Sequence, residues 1–136
     1  MELKTILCVE DDPDIQAIMA LSLETMGGFT VISCDSGTKA ISAIDAAFKT
    51  ALPDIILLDV MMPAPDGIAT YHALRAMPRG QGVPVIFITA KIQKHEIESY
   101  IAMGAIGVIP KPFDAMTLAE EVRGLWEVSQ SRLHVG

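Results

Sequence analysis

Four aliphatic residues in a row, Ile55-Ile56-Leu57-Leu58, are followed by a single carboxylate, Asp59. A strand with one wet face alternates apolar and polar residues. An unbroken aliphatic run needs cover on both faces, as strands of parallel sheets have. Pro63, Pro65 and Gly67 come directly after, so the chain leaves the sheet there. Open parallel sheets bind ligands beyond the carboxyl ends of their strands, which puts Asp59 in a position suited to chemistry. A lone aspartate after a strand is more often only a turn residue. The weight therefore falls on what the other strand ends carry.

The same strand–helix unit recurs along the chain. Thr5-Ile6-Leu7-Cys8-Val9 is a first buried strand, and Glu10-Asp11-Asp12-Pro13-Asp14 follows it. Pro13 suits the first helical position, Asp12 the N-cap, and Asp14 the first turn, where the helix dipole favours an anion. Glu10 and Asp11 have no such local explanation. Ile15, Ile18, Met19, Leu23 and Met26 fall at helical spacing until Gly27-Gly28 ends the helix. Residues 29–32 read as a second strand, and Asp35-Ser36-Gly37 as the cap of a helix whose inward face is Ala40, Ile41, Ile44 and Phe48. After the strand at residues 53–60, Asp66 caps a third helix containing Ile68, Tyr71, Leu74 and Met77. Residues 83–88 form a fourth strand left by Thr89-Ala90-Lys91, and a helix with Ile97, Tyr100 and Ile101 runs to Gly104. Residues 105–109 form a fifth strand, ended by Pro110-Lys111-Pro112-Phe113. Asp114 caps a last helix that buries Leu118, Val122 and Leu125, and residues after Glu127 are expected to fray. Five βα units with right-handed crossovers give an α/β fold, a doubly wound parallel sheet with helices on both faces. The expected extent is one domain over residues 1–136, with its core at 4–127 and a tail at 128–136.

Composition narrows the function classes. No apolar run approaches the roughly 18 residues of a membrane span, and Met1-Glu2-Leu3-Lys4 is no signal peptide. A net charge of -7 argues against direct nucleic-acid binding. Cys8, in a strand, and Cys34, just past one, read as small buried hydrophobes of a reduced, cytoplasmic protein. His72, His95 and His134 read as scattered surface residues, and Trp126 as packing with an exposed edge.

In the flavodoxin-like strand order 2-1-3-4-5, the strand ends bring Glu10, Asp11, Asp59, Thr89 and Lys111 together. Clustered carboxylates repel unless a cation joins them, and an all-oxygen cluster with room for water suits Mg²⁺. Mg²⁺ and a lysine together neutralise phosphoryl oxygens. A carboxylate can be the nucleophile that forms an aspartyl phosphate, and a threonine hydroxyl can donate to a phosphoryl oxygen.

Ile6-Leu7-Cys8-Val9-Glu10-Asp11, Asp59-Val60-Met61-Met62-Pro63 with Asp66-Gly67, Thr89-Ala90 and Lys111-Pro112-Phe113 stand in this order in the chain. Together they resemble the receiver domain of two-component response regulators, over about residues 4–127. The resemblance implies that Asp59 is the phosphoacceptor, charged from a histidine kinase phosphohistidine or a phosphotransfer protein. It implies that Asp11 ligates Mg²⁺ directly, that Glu10 assists through water, and that the Met61 backbone carbonyl is a further ligand. Thr89 and the Ala90 N–H would bind the phosphoryl group, and Lys111, before a cis Pro112, would pair with Asp59 and then with phosphate. The implied function is a phosphorylation-switched signalling module that acts by protein–protein contacts and is not a turnover enzyme.

Two residues depart from the family pattern. Glu10 stands where the family often has Asp, and Val108 stands where many members carry an aromatic switch residue. Valine has few χ1 options, so output is expected through the 90–96 loop and the fourth helix. That would remodel the face of fourth helix, fifth strand and fifth helix, carrying Tyr100 and the edge of Trp126, as a partner or homodimer surface. An Mg²⁺-dependent aspartyl-phosphate phosphohydrolase is the alternative enzyme class. Such enzymes place a second acid two residues after the nucleophile, where this chain has Met61. A phosphorylation-independent scaffold is the third class, and the complete acceptor, metal and lysine set argues against it.

Overall fold

The computed structural model describes residues 2–46 and 51–135, with side chains to residue 132. Five strands, β1 (Thr5–Val9), β2 (Thr30–Cys34), β3 (Ile55–Asp59), β4 (Val85–Thr89) and β5 (Gly107–Pro110), alternate with five helices, α1 (Pro13–Gly27), α2 (Gly37–Ala46), α3 (Gly67–Ala76), α4 (Lys94–Met103) and α5 (Leu118–Val135). All pairings are parallel, in the order β2-β1-β3-β4-β5. This is the doubly wound, flavodoxin-like α/β architecture that the alternation predicts.

The sheet divides the core in two, which explains the unbroken aliphatic strands. Ile6, Cys8, Ile55, Leu57, Ile86, Ile88 and Ile109 pack with α1 and α5 on one face. Leu7, Val9, Ile56, Leu58, Val85 and Phe87 pack with α2, α3 and α4 on the other. Neighbouring residues point to opposite faces of a strand, so the three inner strands β1, β3 and β4 are apolar at nearly every position, while the edge strand β2 is largely exposed and carries Thr30 and Ser33. Each fully buried aliphatic side chain contributes roughly 1.5–3 kcal/mol. The caps of α1 and α3 fall where the sequence puts them, whereas Asp114 accepts from the Met116 N–H in a turn ahead of α5, which begins at Leu118. Asp12 Oδ1 accepts from the Asp14 and Ile15 N–H groups, Pro13 opens α1, and Asp66 accepts from the Ala69 N–H. Gly28 and Gly104 close α1 and α4 in the left-handed region that favours glycine.

Several boundaries and faces differ from expectation. Cys34 is inside β2, because the Glu10 N–H donates to its carbonyl and prolongs the ladder. Phe29 precedes β2 and packs in the α1/α5 core. Pro53 and Asp54 lie before β3, where the Asp54 carboxylate accepts from the Lys4 and Thr5 N–H groups. On α1 only Met19, Ser22 and Leu23 are buried, while Ile18 is 48 % and Met26 50 % exposed. The helix touches the sheet along a stripe narrower than its apolar spacing suggests. In the same way α4 buries only Tyr100 and leaves Ile97 and Ile101 exposed. The expected fraying after Glu127 is not seen, since α5 continues to Val135. Trp126 continues the four-residue spacing of Leu118 and Val122 and is 6 % exposed in the α1/α5 core, so it offers no free edge. His72 and His95 lie at the surface, as expected. Phe48 and the His134 side chain lie outside the described residues.

Candidate functional site

The carboxyl edge of the sheet gathers the residues picked out by position. Glu10 and Asp11 follow β1, Asp59 is the last residue of β3, Thr89 the last of β4, and Lys111 follows β5. Glu10, Asp11 and Asp59 present carboxylate oxygens that all lie within 4.8 Å of one another. Glu10, Asp59 and Thr89 are buried, while Asp11 is exposed. The Lys111 ammonium lies 2.7 Å from Glu10 Oε1 and 3.3 Å from Asp59 Oδ2. The other Asp59 oxygen accepts from the Met61 N–H at 3.2 Å. Thr89 Oγ1 accepts from the Lys91 N–H at 3.0 Å, and the Thr89 carbonyl accepts from the Lys111 N–H at 2.9 Å. Ala90 is exposed at the mouth of the site. The Lys111–Pro112 peptide is cis, as is Ala64–Pro65.

Burial raises the pKa of the Glu10 carboxyl, and its hydrogen bond from Lys111 works against that. Burial alone would lower the Lys111 pKa. The hydrogen bond to Glu10 and the charges of Asp59 and Glu10 outweigh it and hold the ammonium above its ordinary value. A lysine held charged beside partly desolvated carboxylates offsets only part of their repulsion. The donor set is hard, anionic and open to water on the Asp11 side, which fits a divalent cation with oxygen ligands.

Sequence reasoning did not find the direct Glu10–Lys111 pair, 101 residues apart in the chain. It gives Gly67 only as a residue at which the chain leaves the sheet and as part of the Asp66-Gly67 motif, with no packing role. A Cβ there would stand 2.2 Å from the Asp59 carbonyl oxygen and 2.6 Å from Val60 Cα. The Asp66-Gly67 pair was the visible signal. Val108 is half-buried beside Phe87, its register partner in β4. Phe87 in turn stacks between Tyr71 and Tyr100, with ring centroids 5.4 and 5.2 Å away. Tyr100 is therefore a buried member of an aromatic stack and not an exposed feature of the α4 surface. Met61 and Lys91 are exposed and line a cleft of about 600 Å³ between the loop after Asp59 and α4.

The family model of the response regulator receiver domain matches residues 6–123. The chain belongs to this family. As a receiver domain of two-component response regulators, it is a signalling module. It is 35% identical over 120 residues to the transcriptional regulatory protein CpxR of Escherichia coli (strain K12), covering 88% of this chain and 48% of that protein. It is 34% identical over 110 residues to the probable C4-dicarboxylate response regulator DctR of Priestia megaterium, covering 80% and 46%. The chain thus spans about half the length of the curated relatives it matches. Among solved structures, the chemotaxis protein CheY4 of Vibrio cholerae superposes with a TM-score of 0.78 at 25% identity, covering 91% of this chain and 99% of that one. The receiver domain of a sensor histidine kinase from Pseudomonas aeruginosa PAO1, solved with a magnesium ion coordinated in its active-site cleft, gives 0.76 at 26% identity, covering 93% and 99%. Among the described residues no helix of the receiver is long and apolar enough to cross a membrane.

Proposed function

We propose that Asp59 is the phosphoacceptor of this receiver. An Asp59 carboxylate oxygen attacks the phosphorus of a histidine kinase's or phosphotransfer protein's phosphohistidine. The new bond is O–P, the P–N bond breaks, and the imidazole leaves with its electron pair. The observation that carries this reading is the Asp59 carboxylate, 2 % exposed at the end of β3, with one oxygen facing the Lys111 ammonium and two further carboxylates within 4.8 Å. Asp11 and Asp59, with the Met61 backbone carbonyl, would hold Mg²⁺, and Glu10 adds its charge to the cage. When bound, Mg²⁺ supplies charge neutralisation for the phosphoryl oxygens. The magnesium ion of the Pseudomonas aeruginosa receiver domain supports that choice of cation. Lys111 pairs with a phosphoryl oxygen after transfer, and Thr89 and the Ala90 N–H donate to it. A phosphoryl group adds about two negative charges, and these donors meet them.

The receiver works as a switch and not as a turnover enzyme, in the cytoplasm and off the membrane. Its partners would be the phosphoryl donor, a downstream protein, and a second copy through the face of α4, β5 and α5. Relatives such as MtrA are DNA-binding by name. For this chain the charge of -7 argues against direct nucleic-acid contact. Incubation with acetyl phosphate and Mg²⁺, followed by intact mass, tests the proposal. A stable adduct of one phosphoryl group supports the switch. Catalytic consumption of acetyl phosphate without an adduct would make the chain a phosphohydrolase, and neither result would make it a scaffold.

Met61 bears on how long the adduct lasts. Its backbone N–H bonds to the acceptor, and its exposed side chain, which lines the adjoining cleft, cannot orient water. Met61→Asn places an amide there and is expected to speed loss of the phosphoryl group several-fold, followed by mass after removal of the donor. An unchanged or slower rate would show that Met61 does not shield the acyl phosphate.

A further inference from the structure

We propose that the groove between α4, α5 and the amino ends of β4 and β5 is a binding site for an organic anion with an apolar body and one carboxylate. The groove has a volume of about 470 Å³ and lies at the edge of the sheet opposite Asp59. Its walls are Val83, Pro84, Ile101, Ile106, Leu125 and Val128. Leu125, Val128 and Arg132 stand three and four residues apart, which puts them on one stripe of α5. Ile101 is 45 % and Val128 51 % exposed, so both aliphatic side chains face water. The polar groups are few. Arg75, at the end of α3, and Arg132, in α5, line the groove, and no acidic residue does. Neither arginine has an ion pair among the described residues. The clefts beside Met61, Leu52 and Leu3 differ, because each is lined by at least one carboxylate, from Asp66 and Glu96, from Asp54, and from Glu2 and Glu127 in turn.

Arg75 is already set to receive a carboxylate. Its Nε donates to the Tyr71 hydroxyl at 3.3 Å and its Nη1 to the Gly80 carbonyl at 2.8 Å, and its Cζ lies 4.7 Å from the Tyr71 ring centroid. These contacts fix the plane of the fork. A guanidinium has five N–H donors, so donors remain for a ligand. An arginine held in this way loses little freedom on binding. The Tyr71 hydroxyl in turn donates to the Met103 carbonyl at 2.7 Å, and a Cβ at Gly104 would stand 2.6 Å from that hydroxyl. Gly104 lines the groove, so the guanidinium sits at its α3 end. Clefts of this size with apolar walls and a few placed polar groups suit small molecules. Charge then selects among them. Two cations without an acid favour a carboxylate, which an arginine fork grips in bidentate fashion. The aliphatic walls favour an apolar body, since an inorganic anion would leave them wet. The occupant would touch the last turn of α4 at Ile101 and, through Arg75 and Tyr71, at Met103. The site therefore offers the receiver an input separate from the phosphoryl group.

Decanoate, kept below its micelle concentration, is the probe, titrated into the unphosphorylated protein by calorimetry. One molecule is expected to bind per chain. Arg132→Gln and Val128→Asp are each expected to weaken binding about tenfold, through a lost charge-assisted contact and an added repulsive charge. Both positions are exposed, so neither variant threatens the fold. Lys94 is an exposed cation elsewhere on α4, and Lys94→Gln is expected to bind as the wild type does. Equal affinity of the wild type and all three variants would overturn the proposal. Decanol lacks the carboxylate and acetate lacks the apolar body, and either one binding as tightly as decanoate would overturn it too. Amide hydrogen exchange locates the ligand. Added protection is expected at residues 101–106 and 125–132, and protection confined to other segments would overturn the assignment. A second copy of the chain is the competing occupant. If sedimentation shows a wild-type dimer that both groove variants dissolve, and decanoate finds no site, the copy fills the groove and the proposal fails.

Discussion

Asp59→Asn, incubated with acetyl phosphate and Mg²⁺, is expected to keep its unmodified mass while the wild type gains one phosphoryl group. Asparagine has the size of aspartate, and its amide oxygen can still accept the Met61 N–H. Lys111 keeps its shorter bond to Glu10, so the edge of the sheet has no cause to collapse. What is lost is the anionic oxygen that forms the O–P bond. Of the neighbouring carboxylates, Glu10 is enclosed by Lys111 and the Asp12 N–H, Asp12 is spent on capping α1, and Asp11 is the acid proposed to hold the cation. An undiminished adduct on the variant would remove Asp59 from its assigned role.

Gly67→Ala is expected to lower stability by about 3 kcal/mol, at the upper end of overpacking costs. The new methyl would stand 2.2 Å from the Asp59 carbonyl oxygen and 2.6 Å from Val60 Cα. Both obstacles are backbone, so no rotamer change relieves them. The Gly67 N–H also donates to the Val60 carbonyl at 3.0 Å, which pins the first turn of α3 against the end of β3. Relief would have to come from moving the strand end that carries Asp59. Gly82→Ala is the control, because a Cβ there meets nothing within 4 Å. Urea denaturation compares the two. A Gly67→Ala midpoint no lower than that of Gly82→Ala would show that the contact yields freely.

The architecture was legible because its signals are local and repeated. The aliphatic run 55–58 requires cover on both faces, and the αL glycines and the Asp12 and Asp66 caps mark helix ends by chemistry alone. The carboxylates, Thr89 and Lys111 were legible because strand order fixes which ends adjoin. Less legible was everything set by how elements cross. Ile18 and Met26 have the spacing of buried residues, but the line along which α1 meets the sheet excludes them. Tyr100 reads as part of an exposed partner surface and Trp126 as packing with an exposed edge until their partners on the two faces of the sheet are known. That Lys111 prefers Glu10 to Asp59 depends on tenths of an ångström between side chains of three strands, and no spacing rule carries that.

The reach of Lys111 also bears on how the protein folds. Its ammonium joins Glu10 across 101 residues and Asp59 across 52, and β5 enters the sheet only beyond β4. Contacts this far apart in sequence form only after large loop-closure costs have been met. Until β5 docks, a partly assembled sheet holds Glu10, Asp11 and Asp59 at one edge without a protein cation among them. Mutual repulsion then opposes the pairing of β1 with β3, and a divalent cation that joins the three carboxylates should relieve it. Refolding at low ionic strength is therefore expected to quicken with added Mg²⁺, and the acidic edge becomes the part of the molecule that matures last.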